Sequence, residues 1–245
     1  MTPSTETPHG SRPAVVCLPT YDEKDNLGPI VEAILAATPD VDILVIDDNS
    51  PDGTGRLADE IAAREPRVKV LHRAGKEGLG KAYLAGFDWA LGHGYEFVLE
   101  MDADFSHDPK RLPAMLEAAR EADLVLGSRN IAGGGTVNWS LARKIISRGG
   151  SLYARTILGI AVRDLTGGFK CFRRKVLESI DLKTVECSGY AFQIELTYRA
   201  IRKGFRVREI PIVFVDRRVG QSKMSRRIVF EALRKVWSIR ASGFH

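Results

Sequence analysis

Five short apolar runs, with four amphipathic stretches between them, constrain the fold of this chain more than any other feature. AVVCLP (14–19), DILVID (42–47), VKVL (68–71), EFVLEM (96–101) and DLVLGS (123–128) are rich in branched residues and bounded by turn formers, so they read as strands. Helical periodicity falls near 27–37, 54–64, 79–91 and 109–121. Such alternation predicts right-handed βαβ units and a mostly parallel sheet covered by helices, an α/β fold. Ligands of open sheets of this kind bind beyond the carboxyl ends of the strands. Unusual polar clusters fall at those ends: Pro19-Thr20-Tyr21, Asp47-Asp48-Asn49, Asp102-Ala103-Asp104 and Gly127-Ser128-Arg129.

The second half is less regular. A turn at Gly133-Gly134-Gly135 precedes a helical stretch from about Trp139 to Leu158. A turn at Thr166-Gly167-Gly168, a helix near 190–203, a strand near 206–215 and a basic helix from about Met224 follow. Residues 1–12 (MTPSTETPHGSR) are polar and aperiodic and read as a disordered tail without signal-peptide features. Residues 13–245 are expected to form one domain of two halves, 13–130 and 131–245. Of 245 residues, 44% are hydrophobic, enough for a substantial core, yet no run reaches the ~20 apolar residues that span a bilayer. A peripheral, non-integral protein is the expectation. Cys17, Cys171 and Cys187 lack CxxC spacing, which suggests reduced cytosolic thiols. Between Arg202 and Arg240, twelve Lys or Arg face three acids, a bias that suits phosphates or anionic lipid, or else a solvated helix face.

Several clusters carry chemistry. If the fourth strand continues through Asp102-Ala103-Asp104, period-two alternation puts both carboxylates on one side, where hard oxygens suit Mg²⁺ or Mn²⁺ bridged to a diphosphate. A turn or helix-capping pair is the other reading. Asp108 reads as the N-cap before Pro109, and Asp52 and Thr54 as turn and cap residues. Asp48 can accept hydrogen bonds from a nucleoside, and Tyr21 beside Glu23 can cover a base, although a plain strand-to-helix turn also fits. Arg217-Arg218-Val219-Gly220-Gln221-Ser222-Lys223 sets cations around a Gly turn that can close over a diphosphate or form a basic surface loop. Lys76 and Lys81 flank a Gly-rich helix start where phosphate contacts are also conceivable. No GxxxxGKS or GxGxxG occurs, and His72, His93 and His107 read as surface or capping residues.

Taken together, PTYDEKDN, VIDDNSPDGT, GLGKAYLAGF, MDADFSHDP, LVLGSR, DLTGGFKCFRR, FQIELTYRA and DRRVGQSK resemble the family 2 glycosyltransferases, and more closely the dolichyl- or polyprenyl-phosphate mannose synthases. The motifs run in family order from about Val15 to Lys223. The resemblance implies a GT-A type, Rossmann-like nucleotide-binding domain with C-terminal interfacial helices. It implies GDP-mannose as donor, a polyprenyl or dolichyl phosphate as acceptor, and Mg²⁺ or Mn²⁺ as cofactor. By position in the motifs, Pro19, Tyr21, Glu23, Ile46 and Asp48 hold the nucleoside. Asp102, Ala103 and Asp104 meet ribose, diphosphate and metal, and Arg217 and Lys223 grip the diphosphate. Arg129 is shared between donor and acceptor phosphates, with Arg143 and Ser147 beside it. Some members carry Gln where this chain has Ser106, so Ser106 takes that metal-side position with a shorter hydroxyl. Asp104, Arg129, Arg217 and Lys223 are thus the expected catalytic groups.

A lipid phosphate is already anionic near neutral pH, so transfer to it needs no general base. Glu195, a base by analogy with relatives acting on alcohols, is expected to be structural or orienting. Trp139–Ile160 mixes cations with Trp, Ile, Leu and Tyr, and the helix after Met224 carries Phe230, Leu233 and Trp237. Both suit a membrane surface on the cytoplasmic face, with or without a separate membrane-anchoring subunit, or else ordinary core packing. Two alternatives stand: the same chemistry with UDP-glucose, and a non-catalytic binder of anionic lipid or nucleic acid. The latter leaves the paired acids unexplained and lacks the interleaved aromatics of a single-strand reader, so no nucleic-acid partner is expected.

Overall fold

The computed structural model describes residues 13–185, 187–216 and 226–243, with side chains in the last segment from Leu233 onward. The tail 1–12 and the loop carrying Arg217 and Lys223 lie outside the described residues. Each apolar run of the first half is a strand: β1 (Ala14–Thr20), β2 (Val41–Asp47), β3 (Val68–His72), β4 (Phe97–Glu100) and β5 (Leu124–Ser128). Between them lie α1 (Lys24–Ala37), α2 (Thr54–Ala62), α3 (Leu79–Gly92) and α4 (Leu112–Glu121). Asp108 caps the turn that enters α4, its Oδ1 accepting the Lys110 N–H at 3.0 Å ahead of Pro109.

The second half contributes β6 (Gly135–Val137), α5 (Leu141–Leu158), β7 (Lys170–Arg173), α6 (Arg174–Ser179), α7 (Gly189–Arg202), β8 (Val207–Pro211), β9 (Val213–Val215) and α8 (Arg226–Ala241). The seven-stranded sheet runs β3-β2-β1-β4-β7-β5-β8, and β6 pairs with β9 in a small second sheet. Its pairs are parallel except those made by β7, which lies antiparallel between β4 and β5. The strand expected over 206–215 divides at Ile212, whose N–H still donates to Ser128 O while its carbonyl accepts the Gly135 N–H and its side chain packs over Gly127.

Alternation sorts the core into two layers. Ala14, Val16 and Leu18 of β1 face α1, α2 and α4, whereas Val15 and Cys17 face α3 and α7. Gly86 lets α3 press onto the sheet: a Cβ there would stand 2.5 Å from Ile46 Cδ1 and 3.1 Å from Cys17 Sγ. Because all strands but β7 share one direction, Thr20, Asp47, Glu100 and Ser128 end on one edge, and the site is built there.

Candidate active site

A cleft of ≈ 390 Å³ opens on that edge, lined by Pro19, Thr20, Tyr21, Glu23, Asp48, Lys76, Gly78, Leu79, Ala82, Asp102, Ala103 and Asp104. The turns after β1, β2 and β4 thus bring together the residues expected to hold a nucleoside and a diphosphate. Lys76 places its Nζ 3.6 Å from the centre of the Tyr21 ring, a cation–π contact at the mouth of the cleft. Asp48 is nearly buried and paired with Arg73 at 2.5 Å, and Asp52 accepts from Thr54 and from the Lys24 N–H, tying the α2 entrance to α1. The Ile46 side chain is fully buried under α3 and is not among the groups that line the cleft.

The paired aspartates reach the cleft by a route other than the pleat. β4 stops at Glu100, and the chain bends through 103–107 with Phe105 at φ 61°. Asp104 Oδ1 closes the bend by accepting the Ser106 N–H at 3.0 Å, while Asp102 Oδ1 accepts from Tyr83 Oη at 3.1 Å. Ser106 Oγ is buried with no hydrogen-bond partner among the described residues. Two carboxylates and an orphaned hydroxyl on one bend fit a hard cation that draws further oxygens from a bound diphosphate. No group of three His, Cys, Asp or Glu that could hold a metal unaided occurs among the described residues.

His107 is neither a surface nor a capping residue. It is buried, stacked on Phe169 with centroids 4.9 Å apart and edge-on to Phe214 at 5.4 Å. Its Nδ1 accepts the Asp102 N–H at 3.2 Å, so the neutral ring carries its proton on Nε2. Burial pushes its pKa down to about 4, against the upward pull of Asp104. The ring buttresses the aspartate bend from behind and lies within electrostatic reach of both Asp104 and Arg129.

Arg129, at the end of β5, faces a second and mainly apolar cavity of ≈ 60 Å³ with Trp139, Ile146, Ser147, Tyr153, Tyr190 and Val236. Arg143 stacks on the Trp139 ring at 4.0 Å and pairs with Asp216 at 2.7 Å, and its Nε is buried without a partner among the described residues. The three groups expected at an acceptor phosphate therefore gather around Trp139. Asp164 escaped the sequence reading: wholly buried, it forms a two-point ion pair with Arg129, Nε–Oδ2 2.7 Å and Nη2–Oδ1 2.6 Å. Burial alone would raise its pKa, but the Arg129 charge and hydrogen bonds leave it below the usual carboxylate range. Glu195 lines neither cavity; its Oε1 pairs with Arg199, which holds the Asp181 and Thr184 carbonyls.

Beneath the aspartates, Glu100 and Lys170 face each other across the β4–β7 register, both fully buried. Lys170 Nζ donates to the Gln193 carbonyl at 2.8 Å and to Gln193 Oε1. Burial raises Glu100 to about 7 and lowers Lys170 to about 8, each effect opposed by the other's charge.

Residues 15–181 match the glycosyl transferase family 2 model. The undecaprenyl-phosphate mannosyltransferase of Micrococcus luteus is 50% identical over 226 residues, covering 91% of this chain and 93% of that protein. The polyprenol monophosphomannose synthase of Mycolicibacterium smegmatis is 50% identical over 242 residues, covering 96% and 91%. Among solved structures, glucosyl-3-phosphoglycerate synthase from Mycobacterium tuberculosis in complex with Mn²⁺, UDP and glucosyl-3-phosphoglycerate superposes with a TM-score of 0.65 at 18% identity, over 95% of this chain and 80% of that one. A mannosyltransferase from Pyrobaculum calidifontis in complex with GDP-Man and Mn²⁺ gives 0.56 at 16%, over 94% and 74%. The strand order, the acid-lined cleft at the strand ends and these matches agree, and the chain belongs to glycosyl transferase family 2, with its GT-A type fold.

Proposed function

We propose that this protein transfers mannose from GDP-mannose to a polyprenyl monophosphate, inverting the anomeric carbon to give a polyprenyl β-mannosyl phosphate. The observation that carries this reading is the presence of both an acid-lined cleft at the strand ends and a mainly apolar cavity lined by Arg129 and Ser147. The mannosyltransferase names of the two relatives at 50% identity support the sugar and the lipid phosphate.

In the proposed reaction an oxygen of the lipid phosphate attacks C1 of mannose. The bond from C1 to the diphosphate oxygen breaks, and GDP leaves with the bonding pair. Two anions must approach while a third departs, so the work is electrostatic and orientational. Pro19, Tyr21, Glu23 and Asp48 hold the nucleoside. Asp102, Asp104 and Ser106 hold Mg²⁺ or Mn²⁺, which when bound neutralises charge developing on the leaving diphosphate. Arg129, Arg143 and Ser147 hold the attacking phosphate. Arg217 and Lys223, beyond the described residues, complete the grip on the diphosphate.

The acceptor's apolar tail calls for a bilayer. No described helix is long and apolar enough to cross a membrane. α5 instead leaves Leu141, Ile145 and Leu152 exposed at helical spacing, flanked by Lys144 and Arg148, while Trp237 of α8 is exposed nearby and donates to Tyr153 Oη at 2.9 Å. Such a surface suits peripheral docking on an anionic cytoplasmic leaflet.

Labelled GDP-mannose and a polyprenyl phosphate with Mg²⁺ or Mn²⁺ test the reaction, alongside Asp104→Ala. Lipid-linked mannose that falls about 100-fold or more in the variant is expected. Product from UDP-glucose and none from GDP-mannose would overturn the donor, and full activity in EDTA would overturn the metal role.

A further inference from the structure

We propose that Asp164 is a positioning residue for acceptor recognition: it occupies one edge of the Arg129 guanidinium and so presents the remaining amino group, Nη1, to an incoming phosphate monoester. This rests on the reading that Arg129 meets the acceptor phosphate.

A guanidinium has five N–H donors in a fixed plane. On Arg129, Nε donates to Asp164 Oδ2 at 2.7 Å, and Nη2 donates to Asp164 Oδ1 at 2.6 Å and Thr166 Oγ1 at 2.9 Å. The Arg129 backbone N–H also reaches Asp164 Oδ2, at 2.9 Å. Both protons of Nη1 are left without a protein acceptor among the described residues, although Arg129 is only 6% exposed. Arg199 supplies the contrast within the same molecule. Also nearly buried, it spends all its nitrogens on protein: Nε and Nη2 on Glu195, Nη1 on Asp181 O and Thr184 Oγ1, and Nη2 again on Thr184 O. A purely structural buried arginine in this fold is fully satisfied. Arg129 keeps one donor pair in reserve, and that pair belongs to a residue lining a cavity with Ser147 and Trp139. The two N–H groups of Nη1 diverge from one nitrogen, so a phosphate can take a charge-assisted hydrogen bond from either of them.

Asp164 is itself held. The Arg163 and Asp164 N–H groups donate to Glu209 Oε2 and Oε1, both at 2.9 Å, so a carboxylate on β8 clamps the turn that carries Asp164. The Trp139 and Phe214 rings lie 5.4 and 5.6 Å from the guanidinium carbon and narrow its swing. Glu209, Asp164 and Arg129 therefore form a chain of fixed contacts from the edge strand to the cavity.

The test is steady-state kinetics with GDP-mannose and a short-chain polyprenyl phosphate, the two KM values being measured separately for wild type, Asp164→Asn and Arg129→Ala. Asp164→Asn is expected to raise the acceptor KM about 10- to 100-fold, the effect of misplacing a charge-assisted pair, with any change in the donor KM no larger than that in Arg129→Ala. An unchanged acceptor KM in Asp164→Asn, beside a raised one in Arg129→Ala, would overturn the proposal and leave the Arg129 reading standing. An unchanged acceptor KM in Arg129→Ala would overturn the Arg129 reading itself. A donor KM that rises in Asp164→Asn well beyond its rise in Arg129→Ala would mark a merely structural role and overturn the proposal. Should Asp164→Asn fail to fold, Thr166→Val and Glu209→Gln take its place, each expected to raise the acceptor KM about three- to tenfold; no change in either would overturn the proposal.

Discussion

Gly86→Ala sets two effects of known size against each other. The added methyl would stand 2.5 Å from Ile46 Cδ1 and 3.1 Å from Cys17 Sγ, both fully buried, so one wall must yield by about 1 Å to reach a normal contact. Overpacking of this kind costs about 1–3 kcal/mol. Alanine in mid-helix recovers about 1 kcal/mol of propensity. The net is a loss of about 1 kcal/mol, or a fall in Tm of about 2–4 °C for a chain of this size. Ile46→Val removes the clashing Cδ1 and by itself costs about 0.5–1.5 kcal/mol. In that background Gly86→Ala should turn neutral or stabilising, a coupling of about 1–2 kcal/mol. Thermal and urea melts of the four proteins of the cycle measure it. Because the start of α3 forms a wall of the acid-lined cleft proposed to hold the donor, the donor KM should rise in Gly86→Ala and return in the double variant. A higher Tm for Gly86→Ala in the wild-type background would refute the close approach of α3 to the sheet.

Lys170→Met removes the positive charge that faces buried Glu100 across the β4–β7 register, together with the Lys170 bonds to Gln193, and should lower stability most at pH 8. A carboxyl whose folded pKa is raised, here already to about 7 with Lys170 present, binds its proton more tightly folded than unfolded, so stability falls as pH rises from the ordinary carboxylate range through that value. Melts in EDTA should show the variant's deficit widening between pH 5 and pH 8 and vanishing in Glu100→Gln/Lys170→Met; a pH-independent deficit would refute the pairing. Replacing the exposed Ile145 and Leu152 together by Glu should abolish sedimentation with anionic liposomes at a Tm within about 2 °C of wild type, and unchanged sedimentation would remove α5 from the membrane contact.

The first five strands were legible because their branched runs alternate faces and end at turn formers, which is how β1 divides its side chains between two helical layers. β7 was not. Its Lys170 carries a charge that no central strand advertises, and the cross-strand Glu100 with the two Gln193 oxygens accounts for an ammonium at the centre of the sheet. His107 misled for a related reason, since its aromatic partners, Phe169 and Phe214, are remote in sequence. Asp164 sits in a segment with ordinary turn chemistry, and its role appears only when the fold brings Arg129 across 35 positions. The aspartate bend shows the converse. Both acids were found, but through an assumed pleat, because nothing in DADFS announces that Phe105 takes a left-handed φ.

The place of β7 has a consequence for how the chain is made. β5 pairs only with β7 and β8 in the sheet, and β4 completes its second edge only with β7. A nascent chain that has reached residue 130 therefore holds four strands in order and a fifth with no neighbour at all. Its apolar edges stay open until Lys170–Arg173 emerges and threads between strands already synthesised. A fragment ending at 130 should consequently aggregate, because the first half of the chain borrows a strand of its sheet from the second.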